Sequence, residues 1–198
     1  MRRHQQIWLL AVVAIVAFAH DRASGRGQPG QPDDGSCYFR EYGSAHLKKH
    51  PDQLVKRVRV LIQRSVGSGN AQQSYAMSID VDIRGRSSTY SAVTECEWDE
   101  GWRFEEPLLS CAVECDGGGV GASFSDNKES LLLYLKQPEG LGRLVVGRSG
   151  HGCDRSTDPD TSFELTEESD DKVFKLFAVS PAECTPLKAY GISEPDSK

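Results

Sequence analysis

Residues 77–84 read MSIDVDIR, and this short run is the clearest structural signal in the chain. Every second residue from Met77 to Ile83 is apolar, and the residues between them are one serine and two aspartates. Side chains of a β-strand point alternately to its two faces, so one face of this segment would lie in a core and the other in water. The pattern predicts a strand of an antiparallel sheet.

The same period of two recurs on both sides of that run. Further strands are expected over residues 37–42, 57–62, 90–96, 109–115, 120–124, 131–135, 144–146, 162–166 and 173–179. The segment Leu131–Leu135 is apolar on both faces of such a strand, so it is expected to be buried on both. Glycine-rich turns separate the segments, and the set predicts an all-β, mainly antiparallel domain of about 8–10 short strands. A β-sandwich and an up-and-down β-barrel both fit this pattern.

One short helix is expected before the second strand. Ser44 is the expected N-cap, and Ala45–His50 would form one or two helical turns. Pro51 would end the helix, because the residue before a proline avoids the helical region.

The first 19 residues have the three parts of a secretory signal peptide. Arg2 and Arg3 precede the apolar run Ile7–Phe18, and Ala17-Phe18-Ala19 supplies a cleavage site. This run is shorter than the roughly 20 residues that span a membrane. We therefore expect an exported protein, periplasmic or extracellular, with no membrane contact after cleavage. The predicted organisation is a signal peptide over 1–19, a disordered lead-in over 20–36, a single β domain over 37–184 and a flexible tail over 185–198.

Charge and cysteine content narrow the function classes. The formal net charge of −6 argues against electrostatic binding of nucleic acid. The six cysteines all follow the predicted leader, which indicates disulfides formed in an oxidising compartment. A Cys37–Cys184 bond would tie the two ends of the domain together, whereas Cys111 and Cys115 are too far apart on one straight strand to pair. The pairing is otherwise open among Cys37, Cys96, Cys111, Cys115, Cys153 and Cys184.

An aromatic hairpin is the strongest candidate for binding. Trp98 and Trp102 flank a tight turn at Gly101, and Phe104 follows them. Exposed aromatic side chains at a loop tip can stack on sugars or anchor a partner protein. The alternative is that these rings pack across the hairpin or close a barrel end.

Two histidines form the candidate metal site. His46 and His50 lie four residues apart, so both imidazoles would share one face of the short helix, and Glu41 or His151 would complete a ligand set. The alternative is a solvated polar turn, and no cofactor is expected. The loop 147–152 and the acidic stretch 153–172 are weaker candidates, for serine–histidine catalysis and for calcium binding respectively, because neither keeps the spacing of a known motif.

The sequence thus favours an exported binding module, either a small-ligand carrier or a protein-binding, inhibitor-like domain. The partner is an unidentified protein or small molecule. A structural or stress-related envelope protein without a small-molecule site is the first alternative. A metal-dependent or hydrolytic enzyme that uses His46, His50 and His151 is the second.

Overall fold

A computed structural model describes residues 30–65, 74–101, 103–104, 106–148 and 161–189. The predicted strands are present, with shifts of a few residues at their ends. The elements are β1 (Ser36–Glu41), α1 (Ser44–Lys49), β2 (Val55–Arg64), β3 (Ser74–Ile83), β4 (Thr89–Asp99), β5 (Leu108–Ala112), β6 (Gly119–Phe124), β7 (Ser130–Tyr134), β8 (Arg143–Gly147), β9 (Ser162–Thr166), β10 (Val173–Val179) and the 3-10 segment η1 (Pro181–Ala189).

Eight of these strands close into an antiparallel barrel. Strands β1 to β6 each pair with the next strand in sequence, β7 pairs with β10, and β10 pairs with β1. The short turns favour pairing between neighbours, because closing a short loop costs little entropy. The fold is therefore an up-and-down barrel. Of the two architectures that fit the sequence pattern, the structure has the barrel and not the sandwich.

The hairpin β8–β9 is inserted between β7 and β10 and lies outside the ring. It joins the barrel through the single pair Ser91–Gly147 on β4, and through a bridge between Gly118 and Leu144. The eight strands close without it.

Large side chains fill the barrel interior. The inward residues of β3 are the apolar ones of the alternating run, and Met77 and Ile79 are fully buried there. Eight strands enclose a space that side chains alone can fill. The largest side chains in the central cluster with under 2% exposure are Tyr38, Tyr75, Tyr90, Ile62, Met77, Ile79, Ile83, Leu109, Leu131, Leu133 and Leu135.

The outer face of β3 is less exposed to solvent than its sequence predicts. Asp80 is only 9% exposed, and it accepts a hydrogen bond from Ser91 Oγ at 2.5 Å. Arg59 lies directly opposite on β2, with its Nη1 atom 3.8 Å from Asp80 Oδ2. The next pair along the strands joins Arg57 to Asp82 at 2.6 Å. These carboxylates are partners of cross-strand arginines, which is a structural role.

A second, smaller apolar cluster covers part of the outer surface of β1 and β2. A disulfide joins Cys37 to Cys184, as expected, and packs with Leu61 and Leu187. Leu187 is 1% exposed, so packing continues past Cys184 into η1. At the other end of the chain, Gln31 is buried and contacts Tyr75, so packing also begins before Cys37.

A second disulfide joins Cys96 on β4 to the facing Cys111 on β5. Cys115 is also disulfide-bonded, and Cys153 lies outside the described residues. Disulfides are typical of exported proteins. Within the ranges given above, the structure has no helix of the length and apolarity needed to cross a membrane.

Three local expectations were wrong. The strand over 109–115 ends at Ala112, because Cys115 and Asp116 adopt the left-handed conformation of a turn. Ser44 is the first residue of α1, and Gly43 is its N-cap without a side-chain hydrogen bond. Strand β7 is buried on one face only, since its outward residues Leu132 and Tyr134 are half-exposed.

Asp171, in the loop between β9 and β10, holds the backbone at the start of β2. Its two carboxylate oxygens accept hydrogen bonds from the backbone N–H groups of Leu54 (2.8 Å) and Val55 (3.1 Å), and its side chain is fully buried. Burial raises the pKa of Asp171 above 3.8, against the opposing effect of these hydrogen bonds. The carboxylate thus supplies the acceptors for both backbone N–H groups.

We predict that Asp171→Ala lowers the free energy of unfolding by about 2 kcal/mol at neutral pH, because the Val55 N–H loses its acceptor in a buried place. A carboxyl group whose pKa is higher in the folded state contributes most below pH 3.8, and its contribution falls as the pH rises through the raised value. Urea titrations should therefore show a larger difference between wild type and variant below pH 3.8 than at neutral pH. The control is Asp52→Ala, an exposed aspartate in the loop between α1 and β2, and a pH-independent difference for Asp171→Ala would contradict this assignment.

Candidate functional site

A groove of about 540 Å³ runs along the outer face of β6 and β7. Its floor contains Ser123 and Tyr134, whose hydroxyl oxygens are 3.0 Å apart. We call it the Tyr134 groove. Its walls come from the β4–β5 loop and the β7–β8 loop, and its lining residues are Arg103, Phe104, Glu106, Leu108, Ser123, Tyr134, Lys136, Pro138 and Glu139.

The β4–β5 wall is held by a buried carboxylate. Asp99 is 5% exposed and accepts hydrogen bonds from the backbone N–H groups of Gly101 (2.9 Å) and Arg103 (3.2 Å). It also accepts one from Nε of Arg103 at 2.8 Å. Gly101 has a φ of 96°, as the predicted turn requires. These contacts fix the loop next to Phe104 before any ligand binds.

The β7–β8 wall lies against the barrel through a glycine. A Cβ atom at Gly121 of β6 would overlap the carbonyl oxygen of Glu139, so only glycine allows this close approach. The backbone N–H of Gln137 donates to Glu167 Oε2 at 2.8 Å, which ties the loop to β9. Both walls of the Tyr134 groove are therefore fixed by contacts within the protein.

One carboxylate oxygen in the groove accepts no hydrogen bond from a described residue. Lys136 Nζ lies 5.8 Å from the centre of the Tyr134 ring and 3.9 Å from Glu139 Oε2. The second distance is too long for a hydrogen bond. Glu139 Oε2 is buried and receives no hydrogen bond from any described residue. A buried acceptor without a donor costs about 1–3 kcal/mol, so this oxygen is a place where a ligand donor would be favoured.

The structure separates the three aromatic residues of the predicted hairpin. Phe104 lines the Tyr134 groove. The Trp98 ring is half-buried beside Gly30 and lies 6.4 Å from the Phe124 ring, which matches the alternative of packing at a barrel end. Trp102 lies outside the described residues.

The two candidate metal ligands do lie side by side, His46 in α1 and His50 at its C-cap. The His46 and His50 rings stack with centres 4.4 Å apart, and Tyr42 stacks on His46 at 4.8 Å. His46 Nε2 is 2.9 Å from Gln53 Oε1, and His50 Nδ1 is 3.6 Å from Asp170 Oδ2. Within the described ranges no three histidine, cysteine, aspartate or glutamate side chains group closely enough to hold a metal. His151, the other candidate ligand beside Glu41, lies outside them.

These histidines line a second groove, of about 360 Å³, between α1 and β10. Arg40 lies in it with its guanidinium 5.3 Å from the Tyr42 ring centre and 5.1 Å from the Phe177 ring centre. His46 contacts Gln53 and His50 contacts Asp170, whereas the buried Nε of Arg40 has no hydrogen-bond acceptor among the described residues. Its residues can support ring stacking, but the stacked rings already occupy each other's faces.

Of the residues that line the Tyr134 groove, Phe104 is a candidate from the sequence, whereas Tyr134 and Glu139 are not. Tyr134 stands in an apolar run, and its outward direction follows only from the register of β7 against β6. Glu139 lies in a loop without a pattern. Comparison of the chain with protein-family models, with curated proteins and with solved structures finds no match, so the groove is interpreted from its own geometry.

Proposed function

We propose that this protein is an exported binding module whose Tyr134 groove binds a segment of a partner protein. The barrel would serve as a rigid scaffold, since its interior positions are occupied by tyrosine, leucine and isoleucine side chains. A ligand carried inside the barrel would need that space, so the filled core favours binding at the outer surface.

The observation that carries the proposal is the buried Glu139 Oε2 atom without a hydrogen-bond donor. An extended peptide offers backbone N–H donors at regular intervals, and one of them would bind the Glu139 carboxylate once this side chain, which is 27% exposed, rotates to turn Oε2 into the groove. Apolar surface from Phe104, Leu108 and Pro138 lies in the same groove and would cover an apolar side chain of the peptide.

The character of the groove also favours a peptide over a small molecule. Small-molecule sites usually enclose 70–90% of the ligand surface. The Tyr134 groove lies on the outside of the sheet and carries charges of both signs, from Arg103 and Lys136 and from Glu106 and Glu139. Mixed charge around an apolar centre is typical of protein–protein contact surfaces.

The test is selection from a displayed library of random peptides on the purified, oxidised protein. We predict that the enriched peptides bind Phe104→Ala and Glu139→Ala about tenfold more weakly than wild type, because each variant removes one central contact. Phe177→Ala is the matched control, since Phe177 is 41% exposed on β10, away from the groove.

Equal binding to wild type and to both groove variants would overturn the proposal. A library without any enriched peptide would favour the structural envelope protein instead. Retention of a metal by the purified protein, lost in His46→Ala, would favour the enzyme hypothesis.

A further inference from the structure

The second groove, between α1 and β10, lies where two strands of the barrel separate. The ladder between β1 and β10 ends at the pair Phe39–Phe177, although β10 begins at Val173. The groove opens next to this last pair, and α1 forms its other side. It shares no lining residue with the Tyr134 groove, so it is a separate place for a ligand.

Arg40 lies in this groove without a hydrogen-bond acceptor. Its side chain is half-buried, and its guanidinium lies over the rings of Tyr42 and Phe177. It makes no hydrogen bond or ion pair with any described residue. A charged group that is partly removed from water without an acceptor is unfavourable, so a ligand that supplies the acceptor would be favoured here.

The position of Arg40 determines how a ligand can reach it. The Nε atom is buried, whereas the two Nη atoms are not, so the end of the guanidinium faces the groove. Two Nη groups side by side donate parallel hydrogen bonds to the two oxygens of one carboxylate. The contacts with the Tyr42 and Phe177 rings hold the guanidinium in place, so it loses little further freedom on binding.

Apolar surface lies beside Arg40 in the same groove. Phe177 is 41% exposed and Val173 is 37% exposed, and both line the groove from β10. A flat apolar group placed on these two side chains would remove their surface from water. The volume of about 360 Å³ lies at the lower end of the range for small-molecule sites, about 300–1,000 Å³.

The charges of the lining favour a ligand with one negative charge. Lys175 lines the groove together with Arg40, and its Nζ atom lies 5.7 Å from the Phe177 ring centre. Asp170 is the one carboxylate among the described lining residues. The neighbouring Asp171 does not line the groove, and its carboxylate already accepts two backbone N–H groups. Two positive side chains and one negative side chain are balanced by one further negative charge.

We infer that this second groove binds a small hydrophobic monocarboxylate. The carboxylate accepts hydrogen bonds from the two Nη groups of Arg40, and the apolar part of the ligand lies against Phe177 and Val173. Lys175 adds positive charge in the same groove. This site is for a small molecule and does not depend on peptide binding in the Tyr134 groove.

The experiment is a titration of the purified, oxidised protein with phenylacetate, followed by amide chemical shifts. We expect the largest shifts in Ser44–Lys49 and in Val173–Phe177. Phenylacetamide keeps the shape without the charge, and acetate keeps the charge without the ring. Both should bind about tenfold more weakly than phenylacetate, because each lacks one of the two contacts. Phenyl phosphate, which carries more negative charge, should also bind more weakly.

Arg40→Gln should weaken phenylacetate binding about tenfold, the usual loss when a charge-assisted hydrogen bond is removed. Phe177→Ala changes an exposed residue, so the fold is retained, and it should weaken phenylacetate binding more than acetate binding. Lys48→Gln is the matched control, because it removes a positive charge from an exposed residue of α1 that does not line the groove. It should leave the affinity unchanged.

Equal weakening by Arg40→Gln and Lys48→Gln would mean a general charge effect and would overturn the inference. So would shifts that avoid α1 and β10, an absence of shifts with millimolar phenylacetate, or phenylacetamide that binds as tightly as phenylacetate. Tighter binding of phenyl phosphate than of phenylacetate would overturn the assignment of a carboxylate.

Discussion

Replacing Cys37 and Cys184 together by alanine will lower the free energy of unfolding by about 4 kcal/mol, the largest loss expected for any change considered for this chain. The disulfide joins residues that are 147 positions apart, so its removal frees nearly the whole domain in the unfolded state. Both cysteines are almost fully buried, and the bond packs against Leu61 and Leu187, so the variant also loses apolar contacts. Urea titration should show a lower midpoint and a steeper slope, because the unfolded chain without this cross-link exposes more surface.

The second disulfide supplies the matched control. Cys96 and Cys111 are 15 positions apart on adjacent, hydrogen-bonded strands, so the double alanine variant should lose about 3 kcal/mol. The loss should therefore be smaller than for the Cys37–Cys184 pair. A larger loss at Cys96 and Cys111 would show that local packing, and not the length of the closed loop, sets the contribution of each bond.

Gly118→Ala is expected to cost about 3 kcal/mol, because two separate penalties add at this position. Gly118 has a φ of 77°, in the left-handed region that a side chain disfavours. A Cβ atom there would also overlap the backbone carbonyl oxygen of Arg143 on β8. Backbone atoms on a paired strand cannot move aside as a flexible side chain can, so the inserted hairpin must shift. Urea titration measures the loss, and amide hydrogen exchange should show weaker protection in β8.

Gly85→Ala separates the two penalties. Gly85 has nearly the same φ, 74°, but a Cβ atom there would meet nothing within 4 Å. Only the conformational cost of about 1 kcal/mol is expected. Equal losses at Gly85 and Gly118 would show that the contact with Arg143 contributes nothing.

The strands could be predicted from the local alternation of apolar and polar residues. The alternation of Met77 to Ile83 predicts β3 correctly, because inward and outward positions differ in polarity at every step. The same reasoning failed for β7, where Leu132 is apolar although it points outward into half-exposed surface. The outer face of β7 is partly covered by neighbouring loops. The sequence of one strand does not show which other segments of the chain will cover it.

Closure of the barrel could not be predicted in this way. It depends on pairing between β1 and β10, in which Cys37 faces Val179 from the other end of the domain. Nothing in either strand marks the other as its partner, and a sandwich would use the same alternation. The Tyr134 groove was missed for the same reason, because β6, β7 and two loops form it together. Phe104 is a candidate from the sequence because an aromatic residue near a tight turn can be recognised without the fold.

Closure between the first and the last strand of the described barrel has a consequence for the order of folding. A chain emerging from its N-terminus can pair β1 to β7 progressively, but β1 and β7 keep unpaired backbone groups until Val173–Val179 is available. The nascent chain thus has two strands with unpaired backbone groups until β10 is made. A prematurely terminated product would be prone to self-association through these strands. Completion of the last strand pairs both edges at once, so the ring of eight strands loses its open edges in a single late step.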